Sequence, residues 1–144
     1  VTPVVLDASV AAKWFLRPEE EPLSSEASAL LQSYGAGEIR LIVPDLFWAE
    51  TGNLLWKAVR HGRCAREQAE YALESLRELN LSTTPSVELF ELAFTIALDS
   101  GRTVYDSLYV ALAVQSKGQF VTADERLANA LAARFPVKWL GATT

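Results

Sequence analysis

Short apolar runs rich in β-branched residues recur along this chain, and a helical stretch follows nearly every one of them. Val4-Val5-Leu6 and Leu41-Ile42-Val43 read as strands buried on both sides, and residues 81–84, 119–122 and 137–139 read as further short strands. Residues 8–16, 24–34, 45–60, 66–79, 86–98, 106–116 and 124–133 read as helices, punctuated by Pro18, Gly35, Gly37, Gly62 and Gly101. Ser24 or Ser25 and Ser86 are the expected N-caps of two of these helices. Strands buried on both sides and separated by helices imply an α/β fold, a parallel β-sheet covered by helices on both faces. The 144 residues suit one domain, 1–144, with its own core, and no repeat, low-complexity tract or linker divides them.

The totals exclude several kinds of chemistry. A single cysteine, Cys64, permits no disulfide within the chain, and with a single histidine, His61, no Cys/His zinc site can form. That cysteine usage suits a reducing cytoplasm. The opening Val-Thr-Pro-Val-Val-Leu-Asp lacks the basic region of a signal peptide. No apolar run approaches the ~18 residues of a membrane span. The net charge of −5 weighs against a nucleic-acid binder, which usually presents a basic surface. A cluster of carboxylates that holds divalent cations would reverse that inference, because its charge is neutralised in use. The placement of the acidic residues therefore decides the matter.

Asp7 directly follows the first strand, and Asp124 lies two residues beyond the strand ending near Val121. In a parallel sheet these two positions share the edge where open α/β folds bind ligands. Ser9 and Thr122 stand two residues from Asp7 and Asp124, and both hydroxyls are candidates for the same crevice. Glu50 lies inside the 45–60 helix with Leu46, Phe47, Asn53 and Leu54 at its helical neighbours and no lysine or arginine at pairing distance. A carboxylate so placed is costly without a compensating charge, which a divalent cation would provide. Asp106 opens the almost wholly apolar 106–116 segment and so belongs near the edge of the core. A plain alternative covers three of the four: Asp7, Asp106 and Asp124 each precede a predicted helix, where aspartate commonly caps. Capping does not account for Glu50.

The blocks Val-Leu-Asp-Ala-Ser-Val (5–10), Val-Pro-Asp-Leu-Phe-Trp-Ala-Glu-Thr-Gly-Asn-Leu-Leu (43–55), Val-Tyr-Asp-Ser-Leu-Tyr-Val-Ala-Leu-Ala (104–113) and Val-Thr-Ala-Asp-Glu-Arg-Leu (121–127) resemble, in order, the successive blocks of PIN-domain ribonucleases. The likeness is greatest to the VapC-type toxins of toxin–antitoxin pairs and covers essentially the whole chain. It implies a PIN-like α/β/α sandwich and an endoribonuclease dependent on Mg²⁺, with Mn²⁺ as a substitute. It carries the acidic quartet, catalytic and metal-binding, onto Asp7, Glu50, Asp106 and Asp124, with Ser9, Asn53 and Thr122 in support. It also implies cleavage to a 5′-phosphate and a 3′-hydroxyl, a homodimer, and a cognate antitoxin as partner.

Basic residues are concentrated at 57–66, where Lys57, Arg60 and Arg63 are candidates for RNA phosphates, with Lys13 and Arg17 as weaker ones. The plain alternative is a solvated helix end, where cations favour the dipole. His61 sits alone beside a turn glycine and is not expected to act as a base. Trp14, Trp48 and Trp56 are expected in the core or an interface, and Tyr105 either in the core or against substrate. Two other functions fit parts of the pattern. A haloacid-dehalogenase-type phosphatase also begins with a strand and Asp, but needs a second Asp where this chain has Ser9. A catalytically silent PIN-like binding module would have no use for Glu50.

Overall fold

A computed structural model describes residues 1–142 of the chain. Among them, strands β1 (Thr2–Leu6), β2 (Ile39–Pro44), β3 (Ser82–Thr84), β4 (Gln119–Thr122) and β5 (Val137–Trp139) form one sheet in the order β3-β2-β1-β4-β5. All four pairings are parallel. The helices are α1 (Ala8–Ala11), α2 (Ser24–Gly35), α3 (Leu46–Arg60), α4 (Arg66–Glu78), α5 (Phe90–Ser100), α6 (Val104–Ser116) and α7 (Glu125–Leu131). The expected α/β architecture is thus the observed one.

Strand order explains the layering. The chain steps outward from β1 to β2 to β3, then returns to place β4 on the other flank of β1. Right-handed crossovers turn that reversal into a change of face, with α1–α4 on one side and α5–α7 on the other. Helix α6 lies against β1, β2 and β4. Every residue from Ser107 to Ala113 is buried there, as its apolar sequence requires. Helix α5 covers α6 from outside and leaves Phe90, Phe94 and Leu98 exposed. Val5, Leu6, Phe47, Phe120, Leu131 and Leu140 are among the completely buried side chains between the layers.

Several helix starts differ from the sequence reading, each for a local reason. The helix expected over 8–16 breaks at Ala11 into a 3-10 turn, Ala12–Trp14. Neither Ser24 nor Ser25 caps α2; the capping position is Leu23, at φ 62°. Ser86 caps nothing either. Its N–H donates to Asp45 Oδ2 at 3.0 Å and its hydroxyl to the other oxygen, which holds residues 86–88 in a 3-10 turn and delays α5 to Phe90. Helix α6 begins before Asp106, because Thr103 Oγ1 accepts the Asp106 N–H at 3.1 Å and is the true cap.

The turn from α6 into β4 is tightly constrained. Lys117 adopts φ 57°, and Gly118 then passes directly against the backbone of Pro3 in β1. A Cβ on Gly118 would fall onto the Pro3 carbonyl oxygen and within 2.9 Å of Pro3 Cβ. Neither can yield without parting β1 from β4. Gly118→Ala is therefore expected to destabilise the fold by roughly 1–3 kcal/mol, lowering Tm by roughly 3–10 °C. A thermal melt matching wild type would contradict this contact.

Candidate active site

The reversal of strand order opens a crevice at the carboxyl ends of β1 and β4, the switch point where such sheets bind ligands. Asp7 leaves β1 at this point, and Thr122 ends β4 beside it. Asp7 holds the N-cap position of α1, yet its side chain makes no capping hydrogen bond. Instead Ser9 Oγ donates to its Oδ1 at 2.5 Å and Thr122 Oγ1 donates to its Oδ2 at 2.8 Å. The same two hydroxyls accept backbone N–H groups from the next loop, Ala123 to Ser9 at 3.2 Å and Asp124 to Thr122 at 3.1 Å. Ser9 and Thr122 thus fix the Asp7 carboxylate and the β4–α7 loop together.

Asp7, Glu50 and Asp106 line one cavity of about 240 Å³, together with Ser9, Asn53 and Tyr109. Glu50 reaches it from α3. The buried stripe of that helix is Phe47, Thr51, Leu55 and Ala58, and Glu50 and Asn53 flank it. The side chain of Glu50 escapes burial by facing the cavity. Tyr109, on α6, donates its hydroxyl to Glu50 Oε1 at 2.5 Å and stacks its ring on Phe120, 5.3 Å between centroids. Burial and the adjacent carboxylates push the Tyr109 phenol far above its ordinary range, so it remains a donor.

Asp124 borders an adjoining cavity that shares Ser9 and Leu54 with the first. Its carboxylate caps α7, accepting the Leu127 N–H at 3.1 Å. Of the three aspartates for which capping is the plain alternative, only Asp124 performs it.

The electrostatics at this crevice are unfavourable as they stand. Desolvation raises the Asp7 carboxyl to about 6, against the lowering effect of its two hydroxyl donors, and Glu50 adds to the rise. Burial likewise raises Asp106; Thr103 and Arg102 oppose this, and Asp124 reinforces it. Among the described residues, no ion pair joins any of the four carboxylates to a lysine or arginine. The donors are all oxygen, the chemistry that suits Mg²⁺ or Mn²⁺. Among the described residues no three acidic, histidine or cysteine side chains stand close enough to enclose an ion. An open arrangement of this kind still fits magnesium, which keeps several waters and takes only one or two carboxylates directly.

The remaining sequence candidates divide. Lys57 and Arg60 stand in the last turn of α3, with Arg60 5.0 Å from the ring centre of an exposed Trp56. Arg17 is exposed. Lys13 is buried and Arg63 partly so, both bound to Glu21. Tyr105 stands exposed beside Asp106, outside the core. Neither Tyr109 nor Glu21 stands out in the sequence. Tyr109 is traceable there: three residues after Asp106 on a helix, it shares that residue's face.

Comparison with known proteins identifies the family and the fold. Residues 4–131 match the family model of the PIN domain. Ribonuclease VapC3 of Pyrobaculum aerophilum is 37% identical over 128 residues, covering 88% of this chain and 92% of that protein. Ribonuclease VapC9 of Mycobacterium tuberculosis is 32% identical over 118 residues, covering 79% and 91%. The crystal structure of PAE2754 from Pyrobaculum aerophilum superposes with a TM-score of 0.69 at 22% identity, over 97% of this chain and 85% of that one. That of VapC20 from Mycobacterium tuberculosis, described as a sarcin-ricin loop cleaving toxin, gives 0.63 at 15% identity, over 92% and 95%. VapBC2 from Rickettsia felis, bound to a fragment of promoter DNA, gives 0.59 at 14%, over 95% and 98%. At such identities the three structures speak for the fold alone.

Proposed function

The chain belongs to the PIN-domain family, and from that premise we propose that it is a metal-dependent endoribonuclease, the toxin of a toxin–antitoxin pair. The observation that carries this reading is the meeting of Asp7, Glu50 and Asp106 on one cavity without a basic partner, in a chain whose relatives are named ribonucleases. Asp7, Glu50 and Asp106 would hold the ion between them, one or two directly and the rest through its waters, and Asp124 would reach it directly or through water. Bound there, Mg²⁺ or Mn²⁺ would activate a water and neutralise charge on the scissile phosphodiester.

The protein's own groups then have distinct tasks. Ser9 and Thr122 keep the Asp7 carboxylate in one orientation, and Tyr109 does the same for one oxygen of Glu50. Asn53, exposed at the mouth of the cavity, would orient a water or a phosphate oxygen. Lys57, Arg60 and Arg17 would attract the RNA backbone to an otherwise acidic molecule. The VapBC complex of a structural relative supports a cognate antitoxin as the regulatory partner; a homodimer would be the working form. Among the described residues no helix is long and apolar enough to cross a membrane, and the reading places the protein with its RNA substrates in the cytoplasm.

The direct test is cleavage of total cellular RNA by the purified, antitoxin-free protein. Discrete fragments should form with Mg²⁺ or Mn²⁺ and disappear with EDTA, and end-mapping should find 5′-phosphates. Equal background under all three conditions would move the silent binding module ahead of the nuclease.

A further inference from the structure

Lys13 is the one basic side chain that is buried among the described residues, at 7% exposure. An acidic chain has buried a cation beside its most acidic crevice, and a buried ammonium requires a counter-charge. Glu21 provides it. One of its oxygens accepts from Lys13 Nζ at 3.3 Å, and the other pairs with the Arg63 guanidinium. Two cations share one carboxylate, so these three side chains alone sum to a positive charge, with Glu20 the next carboxylate acting on Arg63. Lys13, Glu21 and Arg63 line a cavity of about 310 Å³ that adjoins the catalytic one through Ser9 and Leu54. Asp124 is the other carboxylate there, and in a metal-dependent ribonuclease its charge serves the ion.

The segment carrying Glu21 holds its position against local preference. It runs from the 3-10 turn Pro18–Glu20 to Leu23, whose φ of 62° lies in the left-handed region that disfavours a leucine. Its tie to the rest of the molecule through Glu21 is ionic, and another anion with two acceptor oxygens can compete for the same two cations. A phosphodiester presents two acceptor oxygens to an arginine and a lysine, as a carboxylate does.

We propose that this second cavity binds the RNA phosphate next to the one that is cut, and that Glu21 holds its place in the free protein. The inference rests on the ribonuclease reading for the identity of the polyanion. On binding, Lys13 and Arg63 exchange the Glu21 carboxylate for the phosphate. Glu21 is then a built-in competitor that weakens RNA binding while keeping the buried lysine neutralised.

The test is the affinity of a fluorescent single-stranded RNA, read by anisotropy in EDTA so that no cutting occurs, across roughly 50 to 200 mM salt. Glu21→Gln should bind roughly tenfold more tightly than wild type. Arg63→Gln should bind roughly tenfold less tightly and lose about 0.7 from the slope of log K against log salt, the value of one single-strand phosphate contact. Arg63 is 39% exposed, so this variant keeps the fold; a thermal melt of each protein verifies it. A purely structural clip predicts the opposite for Glu21→Gln, a lower Tm with unchanged or weaker RNA binding, and that result overturns the proposal, as does an absence of RNA binding by both proteins. Cleavage of total RNA by wild type is scored separately. Cutting with no change in affinity sinks the subsite alone, whereas tighter binding by Glu21→Gln without any cutting by wild type sinks the ribonuclease reading and leaves the anion site.

Discussion

The Asp7→Asn variant is expected to lose RNA cleavage by at least about 10³-fold while becoming more stable than wild type in the absence of metal. Both effects come from one cause. Asp7 sits where burial and Glu50 raise its carboxyl from 3.8 to about 6. An acid whose folded pKa is raised holds its proton more tightly in the native state than in the unfolded chain. Its ionisation therefore costs stability as pH climbs from about 4 to 6, and the full cost persists above that window. A shift of this size corresponds to on the order of 2–3 kcal/mol at neutral pH. Asparagine has nearly the same shape and carries no charge, and the rotatable hydroxyls of Ser9 and Thr122 can serve it as donor or acceptor. Melts in EDTA at about pH 7.5 should show the variant several degrees above wild type. At about pH 4 the two should converge. A variant that melts below wild type near neutral pH would mean that the metal-free protein already compensates the carboxylate, and would leave the crevice without need of an ion.

The same raised carboxyl would set how metal binding depends on pH. A carboxylate must give up its proton before it can ligate. Mn²⁺ affinity of the wild-type protein is expected to be nearly flat above about pH 7 and to fall about tenfold per pH unit below about 6. Asp106, also raised, would steepen the decline at the acidic end. Titration calorimetry in two buffers of different ionisation heat would count the protons released, about one per ion near pH 5.5 and fewer near neutral pH. An affinity that stays constant from about pH 5 to 7 would remove Asp7 from the ligand set.

Much of this is legible in the residues themselves. The buried β-branched runs and the helices between them specify a parallel sheet, because few other arrangements bury such strands on both sides. Asp7 stands out as the acidic end of one of those runs, and Glu50 as a charge without a helical partner. What the sequence does not convey is convergence. Glu50 and Tyr109 lie 59 residues apart, and nothing local in either helix says that they touch. The helix starts at Ser86 and Asp106 are misplaced from sequence because caps are set by tertiary partners as well as by propensity: Asp45 takes Ser86, and Thr103 takes the place assigned to Asp106. Lys13 and Glu21 are opaque for the opposite reason. A lysine on a short helix and a glutamate in an acidic loop look solvated until the fold buries one against the other.

The hydrogen bond from Thr122 to Asp7 spans 115 residues and crosses the seam where β4 joins β1. During synthesis, a chain that has emerged only through α5 has β1, β2 and β3 available but neither α6 nor β4. It lacks Asp106, Asp124, Tyr109 and one of the two hydroxyls that hold Asp7. The crevice therefore cannot close before the returning strand takes its place beside the first. A ribosome making this protein carries no complete crevice until Asp124 is out, and a product released before that point lacks part of it.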